Sequence, residues 1–317
     1  MNIESGLRVK KAGIFTQLQD QGRFYQAQQG VSQGGVCDEL AGGWANYLLD
    51  NPVNSPLLEI SFGQAQFEAL SEVQLALTGA PMDAKITLLS GKQIKQHNNC
   101  SFILKQGELL TLSFATSGLR AYLAVKGGFI AEAVLGSVSC VKRNSIGGLQ
   151  GDGGVLKKGD LLPVLSQQRH FIKRKMPEQF IPNYNQPLSL AVIESYQCDD
   201  FLVSQKNRFY NSEYQIDKHS DRMGMRLQGE PIIKSGSAGI ISEGIALGSI
   251  QIPADGLPII LLQDRQTLGG YPKIGCVSRC DLSQLAQQPA GNKITFKRSD
   301  LQVEQLRYLQ QLRFFNI

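Results

Sequence analysis

Pro258-Ile-Ile-Leu-Leu-Gln-Asp-Arg-Gln-Thr-Leu-Gly-Gly-Tyr-Pro-Lys273 is the stretch that decides how this chain is read. A continuous apolar run, short and bounded by turn residues, reads as a strand buried on both faces. It ends abruptly in Gln263, Asp264, Arg265, Gln266 and Thr267. Gly269 and Gly270 then allow backbone angles closed to other residues and a close approach of a ligand. Tyr271 and Lys273 stand beside the same acid, base and amides. So many polar groups at the end of a core strand exceed what solubility requires.

Working outward, most segments repeat this strand-and-turn grammar. Val73–Thr78, Phe102–Lys105, Leu109–Phe114 and Ala121–Val125 are apolar or alternating and bounded by glycine-containing turns. Helical spacing is clear only in Glu39–Leu49, through Leu40, Trp44, Tyr47 and Leu48, and in Leu301–Phe315, through Leu301, Val303, Leu306, Leu309 and Leu312. The expected class is mainly β with a few helices. Lys105–Leu112, Lys158–Val164 and Ala290–Phe296 each place a turn glycine before an alternating strand, which suggests an internal duplication. The segment Gln167–Asn185 is charged, holds Pro177 and Pro182 and lacks periodicity, so it reads as the linker. The expected domains are residues 1–175 and 176–317.

A length of 317 residues suits about two domains. Net charge is +5, too mild and too scattered for a nucleic-acid binder. Charge runs at Arg169–Lys175 and Lys293–Arg298 read as solvated surface. The six cysteines form no C-x-x-C pair and only three histidines accompany them, which argues against a zinc site. No leader pattern opens the chain and no apolar run reaches the length of about 18 residues that a membrane span needs. The expected setting is cytoplasmic.

Several clusters carry polar chemistry. Asp20 and Arg23 flank Gly22 and could close that turn or serve a site. Gly30-Val-Ser32-Gln-Gly34 matches the short G-x-S-x-G pattern. No strong strand precedes it, and the partner histidine would have to be His97, His170 or His219. Asp38 is placed to cap the helix that follows. Gly147–Gly154 is glycine-rich without the Lys-Ser/Thr pair of a phosphate loop, and reads as a connection or lid. His219-Ser220-Asp221-Arg222-Met-Gly224-Met-Arg226 offers guanidinium groups able to clamp a carboxylate or phosphate. In Ser242-Glu-Gly-Ile-Ala-Leu-Gly-Ser-Ile-Gln251-Ile-Pro253, a glutamine between two isoleucines must find hydrogen-bond partners when buried, in a ligand or in neighbouring backbone.

Taken in order, Gly13…Thr16…Gln19-Asp20…Gly22-Arg23, Gly30-x-Ser32, Ser220-Asp-Arg-Met-Gly224-x-Arg-Leu227, Ser242-Glu-Gly244, Gln251-x-Pro253-x-x-Gly256-x-Pro258 and Gly269-Gly-Tyr-Pro-Lys273 resemble the family of 5-oxoprolinase C subunits, also called KipA or allophanate hydrolase subunit 2, of the biotin-dependent carboxyltransferase group. The resemblance runs from about residue 8 to 297. It departs at Gln21, where glycine is usual, at Cys37, where an aliphatic residue is, and at Leu268, where threonine is. The last departure removes a hydroxyl beside the expected site.

The resemblance implies two tandem cyclophilin-like β-barrel domains and two partner proteins, a KipI-like B component and a LamB/YcsF-like A component. Together such proteins are similar to an ATP-dependent 5-oxoprolinase, which opens the lactam of 5-oxo-L-proline to L-glutamate. A related unit transfers carboxyl from carboxybiotin to urea. This chain has no Met-Lys-Met motif, so biotin would arrive on a separate carrier. A third possibility is a regulatory protein that sequesters a KipI-like kinase inhibitor.

The expected site combines Asp264, Lys273, Tyr271 and Arg222 as catalytic groups with Gln251, Gln263, Arg265, Gln266, Gly269, Gly270, Ser220, Asp221 and Arg226 around the substrate. Arg222 or Lys273 would hold a carboxylate or a phosphorylated intermediate. Asp264 would accept or relay a proton or orient Arg265, and Tyr271 would position the ring or donate a hydrogen bond. ATP would be used by the assembled complex.

Overall fold

A computed structural model describes residues 5–165, 171–234 and 239–315, and strands dominate it. Contacts divide the chain into one unit of Met1–Arg23 with Gly34–Asn185 and another of Phe24–Gln33 with Gln186–Ile317. Among the described residues the first unit contains β1 (Gly6–Ala12), β2 (Phe15–Gln19), α1 (Glu39–Tyr47), β3 (Leu57–Ser61), β4 (Ala65–Ala69), β5 (Val73–Gly79), β6 (Met82–Thr87), β7 (Gln93–Gln96), β8 (Cys100–Leu104), β9 (Leu109–Ala115), β10 (Arg120–Val125) and β11 (Leu161–Pro163). Its strands form two antiparallel sheets, β11-β1-β4-β9-β6-β7 and β2-β3-β10-β5-β8. Both contribute to one core, Val9, Phe67 and Leu110 from the first sheet and Ile60, Leu75 and Leu123 from the second.

The residue patterns explain the layering. β4 alternates buried and half-buried positions, as a strand with one face on the core should. β5 and β10 are buried at every position, because α1 covers their other face. Asp38 caps α1 by accepting from the Ala41 amide, as its position suggested. Its own amide donates to the Tyr122 hydroxyl, which in turn donates to Glu59. Burial, with Glu59 and Asp38 beside it, holds the Tyr122 hydroxyl well above its usual pKa.

The charged stretch read as a linker is partly anchored. Arg169 and His170 lie outside the described residues, but Met176 and Tyr184 are buried. Tyr184 donates to Asp38, and Phe180 packs on Trp44 at 5.4 Å. Apolar anchors thus hold a segment whose charges face water. The glycine-rich Gly147–Gly154 is likewise no loose connection or lid. The Gly153 amide donates to Gly147 O, and a Cβ on Gly147 would fall 2.0 Å from Ser139 O. The glycines allow close packing here rather than motion.

The second unit contains β12 (Leu188–Glu194), α2 (Val203–Asn211), β13 (Tyr214–Ile216), β14 (Gly224–Gln228), β15 (Glu243–Gly244), β16 (Ser249–Gln251), β17 (Ile259–Leu261), β18 (Leu268–Gly269), β19 (Lys273–Val277), α3 (Arg279–Leu285), β20 (Lys293–Arg298) and α4 (Leu301–Phe314). Seven strands close into a barrel in the order β12-β19-β16-β17-β14-β13-β20, sealed by a parallel β12–β20 pair. Its interior holds Val192, Met225, Leu227, Ile250, Ile260 and Ile274, with Phe209 of α2 stacked on Phe296 at 4.4 Å. β15 and β18 form a separate ribbon.

The C-terminal helix forms where its spacing places it, but its leucines do not make the packed face. Leu301, Val303 and Leu306 are exposed, and the buried residue is Glu304. That carboxylate accepts from Ser278, Ser299 and Arg307, while Arg279 stacks over Tyr308. Polar contacts anchor the helix. No helix among the described residues is long and apolar enough to cross a membrane.

Candidate functional site

Strand alternation sets the site. In β14, Met225 and Leu227 point into the barrel, so Gly224 and Arg226 project from its outer face. Ile259 and Leu261 of β17 and Gln251 of β16 lie on that same face, opposite Arg226, Gly224 and Ile259 in register. A cavity of about 610 Å³ opens there, lined also by Asp217, His219, Asp221, Gln266 and Tyr271.

Gln251 is the buried polar side chain of the lining. It is 2% exposed, and its Nε2 has no hydrogen-bond partner among the described residues. A register shift between Ile250 and Gln251 against β19 marks a bulge, a device that re-aims side chains. The glycine at 269 is a matter of space: a Cβ there would lie 2.4 Å from Ile245 Cδ1 and 2.6 Å from Gln251 Nε2. Tyr271, 45% exposed, stands at the mouth.

The acids at the rim are turn residues. Asp221 accepts from the Met223 and Gly224 amides, and Asp255 from Leu257. Asp217 accepts from the backbone and ring of His219 and from Gln228. The His219 amide is the leading reason that its carboxyl sits below the usual range. Ser220 ties to the backbone of Arg226 in both directions. The exposed Arg226 guanidinium has no ion-pair partner among the described residues.

Asp264 and Arg222 are placed otherwise than expected. Arg222 Nε and NH2 donate to the two Asp264 oxygens, each at 2.9 Å, and both side chains are buried. Neither lines the cavity. A bidentate pair satisfies two charges that would be costly to bury singly, and it commits Arg222 Nε and NH2 and both Asp264 oxygens to one another. Arg265 braces the loop by donating to Ile245 O and Leu262 O. Burial draws the Arg265 guanidinium down to about 10. Gln263 is buried outside the cavity, and the Gly270 carbonyl accepts from Ile240.

Lys273 faces a second, smaller cavity of about 290 Å³. Its ammonium bonds Glu243, which also accepts from the Tyr196 hydroxyl and from Gln197 Nε2. The bond from Lys273 leads the causes that hold the Glu243 carboxyl below its usual pKa, followed by that from Tyr196. Sequence reasoning did not assign Glu243, Tyr196 or Gln197. Glu243, between Ser242 and Gly244 ahead of an apolar strand, left a signal. Tyr196 and Gln197 left none, being joined to it only by the fold.

The N-terminal candidates are structural. Asp20 accepts from Ser137 and Ser139 hydroxyls, each at 2.6 Å, and from the Val138 and Gly22 amides, each at 2.8 Å. Arg23 donates to Val134 O and Ser137 O. Ser32 follows a 3-10 turn, not a strand, and donates to Arg265 O at 2.7 Å, against a nucleophile elbow. His97 and His219 are exposed, and His170 lies outside the described residues.

Comparison with known proteins adds the family. The carboxyltransferase domain, subdomain A and B, matches residues 29–298. The chain is 35% identical to the 5-oxoprolinase C subunit of Escherichia coli (strain K12) over 315 residues, covering 96% of this chain and 97% of that protein. It is 31% identical to a "Putative urea carboxylase" of Emericella nidulans, over 94% of this chain but 24% of that protein. The crystal structure of TTHA0988 superposes with a TM-score of 0.80 at 29% identity, covering 92% of this chain and 55% of that one. The urea amidolyase of K. lactis shares the fold at a TM-score of 0.90 and 24% identity, over 99% of this chain and 20% of that one.

Proposed function

We propose that this chain, which belongs to the carboxyltransferase domain, subdomain A and B, family, is the C subunit of an ATP-dependent 5-oxoprolinase and that the larger cavity of its second unit receives the lactam. The observation that carries this reading is the end-to-end match to a protein of that name, 96% of one chain on 97% of the other. The geometry supports it through a cavity that offers an amide donor, a guanidinium and a phenol to a small polar ring. In the reaction, water adds to the lactam carbonyl carbon and the C–N bond breaks, leaving the amine and carboxylate of glutamate. Lys273 and Glu243, bonded to one another, line the second cavity and not the larger one, so any proton they hold is passed to or from that second cavity.

ATP does not fit the glycine-rich loop of this chain. The Gly148, Gly153 and Gly154 amides already donate to Val138 O, Gly147 O and Asp152 Oδ1. We assign ATP to a partner of the KipI-like or LamB/YcsF-like kind.

A second reading, carboxyl transfer to urea or a related amide, draws on the match to the putative urea carboxylase. Gln251 Nε2 suits the ureido carbonyl of a biotin carried by another protein as well as it suits a lactam, and that group would supply the carboxyl. The test is glutamate release from 5-oxoproline and ATP by candidate KipI-like and LamB/YcsF-like partners, with and without this chain. Release only in the full mixture supports the proposal. Silence in a mixture shown to assemble moves the assignment to carboxyl transfer or to a regulatory partner.

A further inference from the structure

The buried amide of Gln251 is costly as it stands. Buried polar groups in folded proteins almost always have partners, and an orphan donor calls for an explanation. Here the side chain is 2% exposed and lines the cavity, with Nε2 unbonded among the described residues. The bulge in β16–β19 turns the strand at this residue, and Gly269 leaves the space that a Cβ would take from Nε2. These features leave a buried hydrogen-bond donor without a partner in a residue that lines the cavity.

The charges at the rim say which end of a ligand goes inward. Asp217, Asp221 and Asp255 outnumber Arg226 around the opening. An anionic group is therefore disfavoured in the cavity except against Arg226, whereas a neutral oxygen meets no such opposition. We propose that Gln251 is the specificity residue that reads a neutral amide carbonyl at the inner wall, with the ligand's carboxylate held outward at Arg226. This rests on the lactam reading of the same cavity and deepens it. A carbonyl oxygen accepts from Nε2, while the ring lies against the apolar Ile259 and Leu261.

The test separates the two ends of the ligand. Binding of 5-oxoproline, of 2-pyrrolidinone (the lactam without the carboxylate) and of cyclopentanecarboxylate (the carboxylate without the lactam) to the full chain is measured by ligand-observed NMR. The expected result is binding of the first two and loss of the third. Gln251→Met should weaken both lactams at least about tenfold and raise the thermal midpoint of the ligand-free chain, because it removes an orphan polar group. Gly269→Ala, which crowds Nε2, should weaken the same two ligands with the amide still present. Arg226→Gln should weaken 5-oxoproline alone.

Lactam binding unchanged in Gln251→Met, a lowered midpoint in that variant, or no binding of any ligand by the full chain would each overturn the inference. The 5-oxoprolinase reading fails separately, by the absence of glutamate release from an assembled mixture in which the lactams still bind.

Discussion

Asp20 in the first unit and Gln251 in the second are both buried polar side chains, 9% and 2% exposed, yet they are opposites. Asp20 is met by two hydroxyls and two amides within 2.8 Å. Gln251 lines a cavity, and its buried Nε2 is unmet among the described residues. The difference teaches that burial of a polar group is not itself a sign of a site. A saturated group organises loops, whereas an unsaturated one at a cavity wall is available to a ligand.

The largest expected effect breaks the saturated side. Asp20→Ala strands several buried donors and should lower unfolding free energy by about 4 kcal/mol in urea titration. A loss below about 1 kcal/mol would show that the loop does not depend on the carboxylate. Next comes Asp264→Asn, which leaves the buried Arg222 guanidinium without its counter-charge. The expected cost is about 3 kcal/mol of stability. Full stability with collapsed turnover would instead restore Asp264 as a proton acceptor.

Lys273→Met probes the second cavity. Glutamate release by the assembled complex should fall about tenfold or more if Lys273 and Glu243 handle a proton, with the pH–rate profile losing one limb. An unchanged profile would leave Lys273 a purely structural partner of Glu243.

The smallest effect is a pH dependence. Glu243 has its folded pKa lowered from the ordinary 4.5, chiefly by the bond from Lys273. Its contribution to stability is therefore full above that value and is lost as pH falls through the lower folded pKa. Glu243→Gln should flatten this part of the acid limb of the thermal midpoint, and a limb of unaltered slope would count against the pairing.

Much of this fold was legible in advance. Alternation and turn glycines marked the strands because a half-buried strand must alternate, and Asp38 ahead of an apolar helical pattern marked a cap that the structure contains. The sequence also brought Gln251, Gln266, Tyr271, Asp221 and Arg226 under suspicion, and these do line one cavity. Chain adjacency could not separate the neighbours of those residues by direction. Asp264 lies one residue from Arg265 and nine from Lys273, yet it turns inward to Arg222, 42 positions away. Tyr196 and Gln197 reach Glu243 across more than 45 positions, a contact made only by the tertiary fold. The exposed leucines of α4 carried a helical spacing without a core behind it, because Glu304 and its donors anchor that helix.

The most direct measurement is a crystal structure of the full chain with 5-oxoproline. The expected result is one ligand in the second unit, its lactam oxygen about 2.9 Å from Gln251 Nε2 and its carboxylate toward Arg226. A ligand bound beside Asp20, or one beside Lys273 with the Gln251 amide still bare, would contradict the assignment.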